Sequence, residues 1–208
     1  GGGGGGGATT PGGEPRLTAY HQVMSILAGV LLFEMPEPDA FFCLNAVLVR
    51  QIPRYVCRGI PGVHAACRLV ERALAEADPQ LADFLRAKCL TGQIFAFPYL
   101  LSLYTCSPPL DEVIKMMDVM FAFGTHLVVL LVVAQCILLR DRLLNRPNPM
   151  EHLLPRNIPP VDAEVLLMAG LQLLPHLSDA LFLELAGHSF LDPEDADDND
   201  TEHQLLSL

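Results

Sequence analysis

Tyr20-His21-Gln22 is the first point in this chain where residue types and spacing could carry chemistry. It leads straight into Met24–Phe33, MSILAGVLLF, a run in which only Ser25 is polar. Such a run predicts a helix buried on most sides. A buried helix holds its N-terminal residue in a reproducible place. Gln22 carries a carbonyl acceptor and an amide donor on one group, so it can orient a water molecule while donating to an anionic oxygen. The plainer expectation is that Gln22 satisfies loose backbone amides at the helix start.

Other constellations offer less. His64 and Cys67 are three apart on an expected helix, but a zinc site needs a third and fourth ligand. Gly187-His188-Ser189 begins like a nucleophile elbow, yet Leu191 stands where the last glycine belongs and no strand leads in. Asp195-Ala196-Asp197-Asp198-Asn199 begins like a calcium loop. It then has Asp200 where the sharp turn needs glycine and Leu206 where the bidentate glutamate belongs. The expectation is therefore no metal and no cofactor. Arg50, Arg54 and Arg58 could form a basic edge for a protein partner, but Pro53 disrupts their helical spacing, and scattered surface charge is the reading preferred.

The elements that must position Gln22 belong to a core-rich chain. Of 208 residues, 51% are hydrophobic and 18% charged, which suits a sizeable helical core and not a disordered chain. The formal charge is −11, and without the seven acids between Asp192 and Glu202 it is −4. A nucleic-acid binder needs a basic face, so that class is set aside. The longest apolar stretch, Leu127–Leu139, falls short of the roughly 20 residues of a membrane span and reads as a core helix. No membrane insertion is expected. Six cysteines lie scattered among apolar neighbours without a CxxC pair. With no signal-peptide pattern at the start, buried reduced thiols and a cytoplasmic or nuclear location are expected.

Helical signals run almost throughout. The pattern predicts a first helix ending near Met35, before Pro36 and Pro38, and a second over Asp39–Gln51, with Pro53 breaking it. A third spans Pro61–Ala77 with Val63, Cys67, Val70 and Leu74 on one stripe. Asp78-Pro79 starts a fourth that ends near Lys88. Gln93–Thr105 is apolar on nearly every side, with Pro98 kinking it or beginning a new helix. Leu110–Phe123 follows, with Gly124 as its cap and Thr125 as N-cap of a long apolar helix ending near Leu144. Two more are expected over Asp162–Leu174 and Ser178–Ala186. The architecture is all-α, with the 93–105 and 125–144 helices central. The domain reading is a disordered Gly-rich leader over 1–17, a helical domain over 18–188 and an acidic disordered tail over 189–208.

These residues resemble a known family. Tyr20-His21-Gln22 before an apolar helix, then Asp39-Ala40-Phe41-Phe42-Cys43, is similar to the Tyr-x-Gln motif and following helix of TBC-domain GTPase-activating proteins. Gln93-Ile94-Phe95-Ala96-Phe97 through Leu110-Asp111-Glu112-Val113-Ile114-Lys115-Met116-Met117-Asp118 resembles that domain's C-terminal motif. Phe97-Pro98 in place of Arg-Trp, Ser107-Pro108-Pro109 and Phe123-Gly124-Thr125-His126-Leu127 look most like the subgroup with the yeast GAP subunit of mitotic exit and septation. The resemblance covers about residues 18–150 and implies the C-terminal portion of an all-helical TBC domain. It also implies a small Rab-like or Ras-like GTPase in its GTP state as partner, with a GAP-complex subunit or a second copy as further partners. The implied setting is cytoplasmic, at a spindle pole or an endomembrane surface. Gln22 would then be the catalytic glutamine given in trans, with Tyr20 and His21 as partner-binding residues. The family's arginine motif has no match: Arg16 sits between Pro15 and Leu17 without its context, and Val23 replaces the glycine that usually follows the glutamine. The competing expectation is a non-catalytic helical module that binds a GTPase or a scaffold in cell-cycle or membrane-traffic control.

Overall fold

The computed structural model describes residues 20–190, and no strand occurs among them. The leader and the acidic tail read from the sequence lie outside these residues, except for 189 and 190. Helices α1 (Gln22–Glu34) and α2 (Glu37–Ala46) form a hairpin. Pro36 and Pro38 end one helix and start the next, because proline lacks an N–H and fits only the first turn. α2 does not run on as an α-helix to Gln51. Residues Val47–Gln51 widen into a π-turn, with Ile52 N–H donating to Val47 O at 3.0 Å. Pro53 explains the change, since it disfavours helical backbone at Ile52, whose φ is −133°.

Short α3 (Pro53–Val56) leads into α4 (Pro61–Ala77), whose expected stripe is buried along its whole length. α5 (Pro79–Ala87) follows, with the Asp78 carboxylate accepting from Leu81 N–H at 3.0 Å, as an N-cap should. The 93–105 stretch is central but is not one long helix. It forms α6 (Gly92–Phe95) and α7 (Phe97–Leu101), then turns back on itself. Leu103 and Tyr104 take left-handed φ values of 47° and 68°, and Tyr104 N–H reaches Tyr99 O at 2.8 Å. Apolar burial wins over helix continuation here: Leu103 and Tyr104 are fully buried.

α8 (Leu110–Phe123) has the expected bounds, and Gly124 follows at φ 120°. Thr125 does not cap the next helix. Its hydroxyl donates to Gln51 O at 3.3 Å, a carbonyl left over by the break before Pro53, and His126 occupies the N-cap position. α9 (Leu127–Leu138) is the central rod, packed against α4, α7, α8, α10 and α11. The expected run to Leu144 is interrupted at Leu139, and α10 (Arg140–Asn145) continues separately. α11 (Ala163–Gln172) and α12 (Asp179–Gly187) complete the described chain. The Glu112 carboxylate on α8 accepts from Ala163 N–H at 2.7 Å and so fixes the start of α11.

α1 departs from the all-round burial that its composition predicts. Val23, Leu27, Val30 and Leu31 are buried, whereas Leu32 is half-exposed and Phe33 is 70% exposed. Its main packing partner is α2, so a helix apolar on all sides is covered on one. The thiols depart as well. Cys67 and Cys136 are buried, but Cys89 and Cys106 are exposed, and none of the six is in a disulfide.

Candidate functional site

The site read from the sequence stands at the head of α1. His21 occupies the N-cap position with extended backbone (φ −115°, ψ 139°), and no side chain caps the helix. Gln22 is the first helical residue and is solvent-exposed. Its neighbour Val23 and Leu27 one turn on are each 1% exposed, which pins the helix start to the core. The Gln22 side-chain amide has no hydrogen-bond partner among the described residues, so it does not satisfy loose backbone amides. Tyr20 is exposed and its hydroxyl donates to Ser25 Oγ at 3.0 Å. Ser25 Oγ in turn donates to the Gln22 carbonyl at 2.9 Å. His21 is half-buried, with Nε2 shielded from solvent and unpartnered among the described residues. The three predicted residues thus share one helix entrance.

This arrangement has three chemical properties. A free amide on a rigid support can bridge a water and an oxyanion. The uncapped start of a 13-residue helix adds partial positive charge beside it. The Tyr20–Ser25–Gln22 bonds tie the preceding residue to the first turn.

The remaining sequence candidates are dispersed. His64 Nδ1 lies 2.9 Å from Gln93 Oε1, joining α4 to α6, and Cys67 is buried in the α4 stripe. His188 packs inside, its Nε2 2.8 Å from the Tyr55 hydroxyl and its Nδ1 2.6 Å from Leu185 O. Burial raises the Tyr55 phenol and pushes His188 down to about 4. Tyr55 O–H therefore donates to a neutral imidazole, which donates from Nδ1. The Asp195–Asn199 stretch and Arg16 lie outside the described residues.

The Rab-GTPase-TBC domain family model matches residues 16–144, more than half of the chain. The chain belongs to this family. Its helical architecture is the one expected of a TBC domain, and the site at α1 lies within the matched TBC region. The chain is 35% identical over 184 residues to a putative mitotic check point protein BUB2 of Dictyostelium discoideum, covering 86% of this chain and 50% of that protein. It is 35% identical over 172 residues to cell division control protein 16 of Schizosaccharomyces pombe, covering 82% and 57%. It is 31% identical over 179 residues to mitotic check point protein BUB2 of Saccharomyces cerevisiae, covering 86% and 58%. The chain spans about half the length of the curated relatives it matches.

One group escaped the sequence reading. Arg54, there placed with Arg50 and Arg58, instead lines a cleft with Arg68 and Arg72 of α4, against the end of α12. The spacing of Arg68 and Arg72, one turn apart, was the available signal. The return of α12 across α4 has no local mark in the sequence.

Proposed function

We propose that the chain serves as a GTPase-activating protein for a small Rab-like or Ras-like GTPase in its GTP state, within cell-cycle control. Residues 18–188 form the working helical unit, Gln22 is the glutamine given in trans, and Tyr20 and His21 bind the partner at its flank. The observation that carries this reading is an exposed, unpartnered Gln22 amide at the head of a core-anchored helix in a TBC-family chain. GTP hydrolysis requires an oriented attacking water and positive charge on the developing phosphate oxygens. The Gln22 carbonyl holds the water and its amide faces an anionic oxygen. The charge must come from an arginine, and none of residues 20–190 is assigned that part. A second reading, a GTPase-binding scaffold without catalysis, draws on the same missing arginine and on the exposed Phe33, Phe41 and Phe42 of the α1–α2 hairpin.

Single-turnover GTP hydrolysis across a panel of Rab-like and Ras-like GTPases tests both readings. The chain alone should stimulate weakly or not at all, since an arginine finger is worth about 10³–10⁵ in rate. Joined to the amino-terminal half of the Schizosaccharomyces pombe relative, it should stimulate a partner by orders of magnitude. Gln22→Ala in the joined protein should remove most of that gain and leave GTPase binding nearly intact, because the residue acts in the transition state. Equal stimulation by the joined protein and its Gln22→Ala variant would sink the glutamine's role. Binding without stimulation in either form would leave the scaffold reading.

A further inference from the structure

Ser25 is the one polar residue in the Met24–Phe33 run. Serine is a poorer helix former than alanine, because its hydroxyl competes for backbone hydrogen bonds. On the exposed first turn of α1 it therefore weakens the helix slightly. What it supplies is a bridge. The Tyr20 hydroxyl donates to Ser25 Oγ at 3.0 Å, and Ser25 Oγ donates to the Gln22 carbonyl at 2.9 Å. A hydroxyl has one proton and two lone pairs, so Ser25 makes both bonds at once, and each polarises the other.

The consequence falls on Tyr20. Of the four tyrosines in the chain, Tyr55, Tyr99 and Tyr104 are buried, whereas Tyr20 is 73% exposed. A ring so exposed has little packing to hold it, and the bond to Ser25 is its restraint. A phenol whose proton is committed to Ser25 meets a partner with its ring, an apolar body with an electron-rich face, and not with a donated hydrogen bond.

We infer that Ser25 is a positioning residue: it fixes the Tyr20 ring on the first turn of α1, so that the GTPase meets a preset aromatic surface. This rests on the reading of the α1 entrance as a GTPase-binding site. Ordering a mobile side chain opposes binding, and a ring held in advance loses little freedom on contact. Ser25 thus acts on the contact, through Tyr20, while Gln22 acts on the reaction.

Two measurements on the full chain test this. The first needs no partner. The chain is labelled with 3-fluorotyrosine, and the Tyr20 fluorine signal is identified by its loss in Tyr20→Phe. In the native chain its transverse relaxation should match that of the three buried rings. Ser25→Thr, which keeps a hydroxyl able to reach back along the helix, should match as well. In Ser25→Ala the signal should relax about twofold more slowly, as a mobile group does. Equal relaxation in the native and Ser25→Ala chains would overturn the inference.

The second measurement is affinity for the GTPase panel loaded with a non-hydrolysable GTP analogue. Ser25→Ala should weaken binding about three- to tenfold, and Ser25→Thr should restore it. The thermal midpoint of Ser25→Ala should be no lower than that of the native chain, since alanine favours the helix; the lost affinity is then not a lost fold. Tyr20→Phe should cost as much as Ser25→Ala, and the double variant no more than either. A further loss in the double variant would mean that the Tyr20 hydroxyl itself touches the partner, and would overturn the inference, as would unchanged affinity in Ser25→Ala. Stimulated hydrolysis indifferent to Gln22→Ala would remove the glutamine's part and leave these Ser25 results standing, so the two failures are told apart.

Discussion

An amide that is to orient water must have nothing else to hold, and the Gln22 side chain has no partner among the described residues. Gln22→Glu keeps the length and the acceptor but removes the donor and adds negative charge beside a phosphate. In a complete TBC protein it should lose as much single-turnover rate as Gln22→Ala, within about threefold. A higher rate for Glu than for Ala would mean that the donor is dispensable. His188 lends itself to a pH experiment. Burial is the main cause that lowers its imidazole to about 4, the bond to Leu185 O opposes the shift, and His126 and Arg54 add to it. The unfolded chain takes up a proton near pH 6.5 that the folded chain refuses until about 4. Stability is therefore whole above pH 6.5 and falls as pH drops toward 4, by up to about 3 kcal/mol. Urea unfolding at pH 7 and 4.5 should show the loss, and His188→Gln should flatten it. His126, also lowered by burial, leaves a residual slope.

Among the elements, the joint at Asp78 carries two loads. One carboxylate oxygen caps α5 through Leu81 N–H, and the other accepts from Arg140 Nε of α10 at 2.6 Å. Asp78→Ala should cost about 2 kcal/mol, a cap plus a partly buried ion pair. Asp78→Asn, which keeps the cap, should cost less than half as much by denaturant titration. A similar loss for both would assign the whole effect to the ion pair. That joint was readable from Asp78-Pro79 because caps and prolines act on their own few residues. The α4 stripe was readable for the same local reason. The turn after α7 was not, since the left-handed Leu103 and Tyr104 are held by burial against distant elements. Thr125 looked like a cap and instead serves Gln51, 74 residues earlier. The shared position of Tyr20, His21 and Gln22 at one helix entrance was legible because all three lie together in sequence. The arginine cleft was not, since three separate elements build it.

At the scale of the whole molecule, the exposed apolar residues are concentrated enough to matter. Phe33, Phe41 and Phe42 of the α1–α2 hairpin are 70%, 65% and 70% exposed, and such surface favours association. Sedimentation at micromolar concentration should show self-association, reduced by Phe33→Ser combined with Phe42→Ser. A monodisperse monomer would refute this. No helix among the described residues is long and apolar enough to cross a membrane, and Val128, Val129 and Val133 of α9 are wholly buried in the core. The contacts of Tyr55 with His188 and of the Arg54 backbone with Ser189 join residues more than 130 positions apart. During synthesis, then, the ribosome releases α3 long before its partners emerge. The early helices must wait as an open intermediate until nearly the last described residue has cleared the exit tunnel. A pause in translation upstream of Leu185 would lengthen that wait, and with it the exposure of the nascent chain to chaperones and proteases.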